Sequence, residues 1–328
     1  MAIRKNLTGL TKISYDTYMG HPSGDFSVSQ NEDALRKAFN EACGGEFNYN
    51  NFIDNRGKVY AIVGETMVIG VGELLTDKFD TFIDFKDTAL GDENLFVTTD
   101  NSMFRVDAIA DGNGAIRRQK LYNGQFSVPT IRYGVKIYTE LERFIAGKVD
   151  WASTVNRVMV TFANHIGVLG YNAMVGAKGS LPADQTESGA FAESTMDSLI
   201  ETIQTRSGSR PIIYGTPTAL GKITQAKVSE KMIDELNTMG HYGVYKGYEL
   251  RMLPQGQDNN KNPLVSNSEL FIIPGDDEKI IKVALEGEPI VYDKTADTNN
   301  SHQIEMFFGR RVGATAIVEK TWGIYTLS

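Results

Sequence analysis

The chain has a single cysteine, Cys43, among its 328 residues. One cysteine excludes an intrachain disulfide and any zinc site built from several cysteines. No apolar run reaches the length of a membrane-spanning helix, and no apolar signal-peptide core follows the first residues. These absences predict a protein that has no membrane partner and stays in the cytoplasm where it is made.

Basic residues are too few for a dedicated nucleic-acid-binding module. The sequence has 33 Lys and Arg residues against 41 Asp and Glu residues, a formal net charge of −8. A module of that kind normally shows a basic surplus or a basic stripe. The charge does not exclude a protein that encloses nucleic acid without binding it tightly. Because an acidic surface repels phosphate, any DNA that touches this protein should be contacted loosely.

Recognisable catalytic motifs are also missing. The sequence contains no Gly-x-Ser-x-Gly elbow, no phosphate-binding Gly-x-x-x-x-Gly-Lys-Ser/Thr loop and no His-Glu-x-x-His pair. The segment Gly70-Val-Gly72 begins like a dinucleotide fingerprint but lacks the third glycine in register. We therefore predict no catalytic residue, no cofactor and no metal site, and a protein that is not an enzyme.

Aspartates between 77 and 111 leave one enzymatic alternative open. Asp111-Gly-Asn-Gly114 resembles the middle of an EF-hand calcium loop, but the first and twelfth ligand positions fall on Ile109 and Lys120. Neither side chain carries the carboxylate that those positions need. A cytoplasmic calcium-dependent hydrolase is thus the weaker hypothesis. Calorimetry that shows tight calcium binding by a monomer would favour it.

Residues 150–176, DWASTVNRVMVTFANHIGVLGYNAMVG, form the longest periodic stretch. Apolar side chains recur there at spacings of three and four, which predicts one buried face of an α-helix. Asp150 is suited to cap its start and Gly176 to end it. At 1.5 Å per residue the helix would be roughly 38 Å long. The predicted core residues of this face are Trp151, Val155, Val158, Phe162, Ile166 and Leu169.

A projecting β-hairpin is predicted over residues 103–138. A strand from Phe104 to Ala110 leads into the turn residues Asp111–Gly114, and an alternating return arm follows through Ile131 to Ile137. The many polar and basic side chains of the hairpin cannot form a core, so we expect the hairpin to project from the rest of the fold. The candidate contact residues are Arg117, Arg118, Lys120, Tyr122 and Gln125.

The rest of the chain divides into an arm, a first strand region and a second α/β region. Residues 1–30 are polar and predict an extended arm with candidate contacts at Tyr15 and Tyr18, followed by a short helix that ends at Gly44-Gly45. Residues 58–72 are β-branched and rich in glycine, which favours one or two strands. From 191 to 286 strands and helices alternate, and long strands return at 289–293 and 302–327.

This order of arm, projecting hairpin, very long helix, inserted α/β unit and returning strands resembles the major capsid proteins of tailed bacteriophages. Their HK-ninety-seven type fold is also used by encapsulin nanocompartments. Three segments resemble, in the order of their residues, three parts of that family: the axial strand and helix, the glycine-rich segment before the next axial strand, and the closing strands. They are RPIIYGTPTALGKIT, GHYGVYKGYELRMLP and FFGRRVGATAIVEKTWGIYTL.

The resemblance implies an α+β fold with an N-terminal arm, an extended loop, a peripheral domain and an axial domain. The arm with its short helix would be residues 1–60, and the extended loop residues 100–136. The axial domain would be residues 191–286. The peripheral domain, with the long helix as its spine, would consist of residues 61–99, 137–190 and 287–328.

The resemblance also implies a function. The chain would assemble with copies of itself, as hexamers and pentamers, into the icosahedral capsid of a virion that encloses double-stranded phage DNA. Many family members begin with a helical scaffolding region of about a hundred residues, for which this chain has no room. We therefore expect a separate scaffolding protein, a portal protein, and assembly in the host cytoplasm. An encapsulin-type compartment with protein cargo is the alternative within the same fold.

Overall fold

The structure is a computed structural model of the chain. It describes residues 12–13, 16, 28–45, 48–79, 83–99, 105–108, 118–119, 123–140, 151–224, 238–253, 255–257, 263–275, 279–294 and 303–328. The helices are α1 Val28–Ala42, α2 Tyr49–Phe79, α3 Trp151–Ala177, α4 Glu193–Ser207 and α5 Pro217–Gly221, with 3-10 turns at Lys178–Ser180 and Ala183–Gln185. The strands are β1 Ile83–Thr88, β2 Leu95–Thr99, β3 Asn123–Ser127, β4 Ile131–Glu140, β5 Thr186–Gly189, β6 Pro211–Gly215, β7 Val244–Tyr245, β8 Tyr248–Met252, β9 Glu269–Pro274, β10 Ile281–Lys294, β11 Gln303–Ala316 and β12 Gly323–Leu327.

Helix α3 confirms the long helix that the apolar period predicts, and it runs for 27 residues. By length and composition alone the segment Thr154–Ser180 could also span a membrane. Its apolar face is instead directed into the protein, where Phe162 meets Phe308 of β11 edge to face at 5.1 Å. Further along, Tyr171 meets Phe271 of β9 at 5.9 Å. Helix α3 therefore lies against two different sheets.

Helix α2 corrects the strands that we predict for residues 58–72. It is a continuous helix of 31 residues. Its buried residues are spaced by steps of three and four positions, which is the period of a helix. The sequence thus has helical spacing together with a composition that favours strands. Gly64 contributes close packing, because a Cβ there would lie 3.2 Å from Val291 of β10. The buried set is Phe52, Val59, Tyr60, Val63, Met67, Val71, Leu74 and Leu75.

A four-stranded sheet has the order β1-β10-β11-β4. Strand β1 pairs with β10 in parallel, whereas β10 with β11 and β11 with β4 are antiparallel. Helices α2 and α3 both pack on one face of this sheet. The predicted long hairpin is therefore wrong in one respect: its return arm Ile131–Glu140 is a sheet strand. The pair that forms the hairpin is β2 with β3, from Leu95↔Ser127 to Thr99↔Asn123.

A six-stranded sheet has the order β5-β12-β9-β6-β8-β7. One of its faces shares the core of α3 through Phe271, Trp322 and Ile324. The other face packs on α4 in a second core that includes Ile200 and Leu270. The closing strand β12 thus belongs to this sheet, although the sequence groups it with the returning peripheral strands.

The predicted boundary between residues 286 and 287 falls inside a strand. Strand β10 continues from Ile281 to Lys294 in the four-stranded sheet, with a change of register between Glu286 and Ile290. Gly287 lies at that irregularity with φ +68°, which glycine adopts at little cost. Residues 279–285, which the sequence assigns to the inserted α/β unit, therefore belong partly to the other sheet.

Candidate assembly surfaces

The root of the β2–β3 hairpin is fixed by a small apolar cluster. Phe96 of β2 and Phe126 of β3 stack with ring centroids 5.8 Å apart. Phe96 also packs with the buried residues Val128 and Ala284. Because Ala284 lies on β10, this cluster ties the hairpin root to the centre of the four-stranded sheet.

A second anchor joins the hairpin to the segment between β11 and β12. Thr98 is buried at 1 % exposure, and its hydroxyl donates to the Oε2 atom of Glu319 at 2.7 Å. Gly124 lies opposite Thr98 on β3. A Cβ at Gly124 would lie 2.7 Å from the Thr98 Oγ1 atom and 2.9 Å from Glu319, so only glycine allows this approach.

Glu286 holds three segments together below the hairpin. Its side chain accepts a bond from the Gly91 amide at 3.1 Å and another from the Thr130 hydroxyl. The Arg311 guanidinium lies 3.1 Å from Oε1. The Thr130 hydroxyl, the Gly91 amide and then the Arg311 charge lower the pKa of Glu286, since all of them favour the carboxylate. We refer to Glu286, Gly91, Thr130 and Arg311 as the Glu286 clamp.

Beyond β2 and β3 the two segments of the hairpin still lie side by side. The Arg105 amide donates to Gln119 Oε1 at 2.7 Å, and Gln119 Nε2 donates to the Arg105 carbonyl at 2.7 Å. Residues 105–108 have no regular structure, so the strand predicted from Phe104 to Ala110 is wrong over these positions. Val106 is 94 % exposed and Val97 is 53 % exposed. The hairpin thus carries apolar side chains that the described part of the chain leaves uncovered.

The predicted contact residues of the hairpin and arm divide into two groups. Arg118 and Gln125 are described, and both are exposed. Gln125 lies on β3, where its register partner is Val97 of β2. The remaining predicted contacts lie outside the described residues: Tyr15, Tyr18, Arg117, Lys120 and Tyr122.

The predicted spine residues lie on the inner face of α3. Val155, Val158, Phe162 and Ile166 are exposed by 0–4 % of their surface. Leu169 is partly buried against the same core. The side chain of Trp151 lies outside the described part of the structure.

Aromatic side chains on the outer face of the four-stranded sheet have no counterpart among the sequence predictions. Tyr292 of β10 stacks on Phe307 of β11 with centroids 4.7 Å apart. Tyr138 of β4 is 70 % exposed and Tyr292 is 47 % exposed. The alternation of strand residues could have indicated this face, but only the sheet order shows that the helices leave it open.

Two of the candidate calcium aspartates instead form ion pairs within the sheet. Asp84 lies 2.8 Å from Lys282, and Asp87 lies 2.5 Å from Arg310. Among the described residues no three His, Cys, Asp or Glu side chains are grouped so that they could hold a metal ion. Asp111 lies outside the described ranges.

Comparisons with known proteins identify the family. Residues 8–326 match the family model described as "SPbeta prophage-derived putative capsid protein YonB". A comparison with curated protein sequences found no match.

Solved phage capsids have a similar fold at low sequence identity. The mature capsid protein of bacteriophage PhiM1 is 10 % identical, with a TM-score of 0.55 over 76 % of this chain and 86 % of that one. The capsid of an empty GTA particle is 11 % identical, with a TM-score of 0.52 over 77 % and 90 %. The capsid of cyanophage P-SCSP1u is 10 % identical, with a TM-score of 0.50 over 76 % and 88 %. The chain therefore belongs to the YonB family of prophage capsid proteins, and it has the α+β fold of tailed-phage major capsid proteins.

Proposed function

We propose that this protein is the shell subunit of a phage-type particle. It assembles with copies of itself, as hexamers and pentamers, into an icosahedral capsid around double-stranded DNA. The observation that carries the proposal is the β2–β3 hairpin, which is fixed at its root and leaves Val106 94 % exposed beyond it. An apolar side chain in that position gains favourable burial only when another molecule covers it.

The anchors of the hairpin suit a connection between subunits. Phe96, Thr98 and the Glu286 clamp fix the direction in which the hairpin leaves its own subunit. A two-stranded hairpin is only marginally stable by itself in water. Contact with a neighbour would order it and add intersubunit area without enlarging the core. We propose the same role for the arm at 1–30, with Tyr15 and Tyr18 as contacts.

Rings of six and of five copies place one sequence in two environments. Such rings need head-to-tail contacts that close, and elements that adapt to both angles. In our proposal the joint core around α3 stays constant, while the hairpin and the arm adapt. Arg117, Arg118 and Lys120 would meet acidic surfaces of neighbours, which a chain with a net charge of −8 offers in number.

The remaining partners follow from the same proposal. We propose a separate scaffolding protein during assembly in the host cytoplasm, and a portal protein at one vertex. DNA would be enclosed without sequence-specific contacts, because the acidic surplus opposes tight phosphate binding. We also propose a structural rather than a catalytic role in the virion.

Electron microscopy of the protein, expressed alone and with the other structural proteins of its prophage, tests the proposal. We expect closed particles with pentameric vertices, and nuclease-protected DNA in particles made with the complete set. A protein that remains monomeric in every salt and crowding condition would contradict the shell function. Closed particles that contain a protein cargo and exclude DNA would instead favour the encapsulin alternative.

A further inference from the structure

Strand β4 is a long edge strand that no described strand covers. It runs for 10 residues and pairs on one side with β11, from Gln303↔Glu140 to Val312↔Ile131. Its other side directs the remaining backbone N–H and C=O groups away from the sheet. An open edge of this length is a template for a further strand, and most proteins block it by bulges, prolines or a covering segment.

The charges of β4 indicate what its partner must carry. Arg132 and Glu140 are both exposed, and neither forms an ion pair within the described part of the chain. Arg132 lies opposite Arg311 of β11, a residue already held by Glu286. Because its neighbour in the sheet has the same charge, β11 offers Arg132 no favourable partner, whereas a strand added at the open edge can supply one.

The opposite edge of the sheet behaves differently. Strand β1 is 6 residues long, and its aspartates Asp84 and Asp87 are paired with Lys282 and Arg310 of the same chain. Its third charged residue, Lys86, donates to the Leu95 carbonyl. Both edges are open in the sheet order of the described strands. Within the described residues, β4 is the edge strand whose exposed charges of both signs, Arg132 and Glu140, have no ion-pair partner.

We propose that β4 pairs with β4 of a second copy of this chain, antiparallel and about a two-fold axis through Lys136. In this register Arg132 of each copy lies opposite Glu140 of the other copy. The two-fold axis therefore creates two identical Arg132–Glu140 ion pairs in one contact. The inference rests on the self-association in the proposed function and adds a specific contact to it. The two sheets would join into one eight-stranded sheet across the contact.

The alternation of side chains restricts the register. Arg132, Gly134, Lys136, Tyr138 and Glu140 lie on the outer face, because successive strand residues point to opposite faces. A slip of one residue would place the inner face of one sheet beside the outer face of the other. A slip of two residues keeps the faces but separates Arg132 from Glu140.

The central pairs of this register are compatible with close approach. Gly134 would lie opposite Tyr138 of the other copy and has no side chain to oppose that ring. Phe307 of the same chain already covers Gly134, since a Cβ there would lie 2.5 Å from the Phe307 ring. Lys136 would lie opposite its own counterpart. Each Lys136 already forms an ion pair with Glu305 of its own chain at 2.5 Å. The Glu305 carboxylates therefore reduce the repulsion between the two Lys136 ammonium groups.

Cysteine cross-linking tests the register directly. Directly opposed residues of antiparallel strands have Cα atoms about 4.5–5.5 Å apart, within the range that a disulfide spans. We expect Lys136→Cys to give covalent pairs under mild oxidation. The matched control is Tyr138→Cys, which lies on the same face of the same strand. Its two copies would be about 14 Å apart along the strands and should link at least ~10-fold less.

Charge reversal is the second measurement. Arg132→Glu and Glu140→Arg should each reduce assembly, since each places like charges opposite each other twice. The double variant restores both pairs and should recover assembly, which a purely structural role of either residue would not explain. Wild-type protein is the baseline for oxidation, because its only cysteine, Cys43, is buried.

Each outcome decides one of the two proposals. Selective linking at 136 together with recovery in the double variant supports the β4 contact. Particles that show no linking at 136, or equal linking at 136 and 138, overturn the contact and leave the shell function standing. Linked pairs that never close into particles support the contact and contradict the shell function. A protein that stays monomeric without linking contradicts both.

Discussion

Two regions of the molecule differ in how they are held. Around α3, Phe162 and Ile166 are exposed by 2 % or less, because α2 and the two sheets enclose them. The β2–β3 hairpin has one small apolar cluster and a few polar anchors at its root, and Val106 beyond it is 94 % exposed. The difference indicates that the core supplies the stability of the subunit, whereas the hairpin is available for assembly.

Shortening the hairpin should separate assembly from stability most strongly. Thr99 and Asn123 are register partners, so residues 100–122 can be replaced by an Asn-Gly turn. We expect complete loss of closed particles, because the segment that we propose to contact neighbouring subunits is removed. The free energy of unfolding should change by less than about 1 kcal/mol, since the root contacts remain. Electron microscopy and urea denaturation measure the two effects.

A matched control keeps the hairpin length and replaces residues 100–122 with a glycine–serine segment of equal length. It should also fail to close particles if the side chains make the contact. Global unfolding of the shortened variant would contradict this account, because the hairpin would then be part of the core.

Replacement of Phe162 by alanine should have the largest effect on stability. Phe162 is 2 % exposed and packs edge to face on Phe308. Phe162→Ala should lower the free energy of unfolding by about 3–5 kcal/mol, the usual cost of removing a buried phenylalanine. Denaturation of the unassembled subunit measures it. Arg157→Ala, at an exposed position of the same helix, is the control and should stay within about 0.5 kcal/mol.

The bond between α3 and the six-stranded sheet should have an intermediate effect. The Tyr171 hydroxyl donates to Glu269 Oε2 at 2.7 Å and accepts from the Ser266 amide at 3.1 Å. Burial, followed by the bond to Glu269, raises the pKa of Tyr171. Tyr171→Phe should destabilise the subunit by about 1–3 kcal/mol, because it leaves both partners without this bond. Unchanged stability would show that the helix is not tied to this sheet by Tyr171.

Loss of the Glu286 carboxylate in acid should have the smallest effect on stability among these four predictions. The pKa of Glu286 is lowered in the folded protein from its ordinary value of 4.5. Its contribution is therefore complete above 4.5 and is lost as the pH falls through the lower folded value. The denaturation midpoint of Glu286→Gln should lie below that of the wild type at pH 7, and the gap should close in acid. A gap that is independent of pH would contradict the role of the carboxylate.

The sequence predicts the periodic and locally signalled elements of this fold best. The apolar stripe predicts helix α3, although the predicted end at Gly176 is wrong, because the helix continues to Ala177. The segment RPIIYGTPTALG is confirmed as strand β6 followed by helix α5. Thr216 caps that helix and Pro217 lies in its first turn. The capsid resemblance, which used the order of elements as well as these segments, is confirmed by the family match.

What the sequence could not predict depends on distant contacts. The β-branched and glycine-rich composition of α2 favours strands, and its packing on α3 and β10 overrides that preference. Strand β1 pairs with β10, whose Lys282 is 198 residues from Asp84. Glu286 is one acidic residue among 41 until the fold brings Gly91, Thr130 and Arg311 to it. Such sites require the sheet order to be known.

A reconstruction of assembled particles by electron cryo-microscopy tests the central claim most directly. We predict closed icosahedral shells in which α3 and both sheets keep the arrangement described above. Residues 100–122 should lie on a neighbouring subunit in both hexamers and pentamers. A shell in which this segment folds back on its own subunit, or a protein that never closes into shells, would contradict the account.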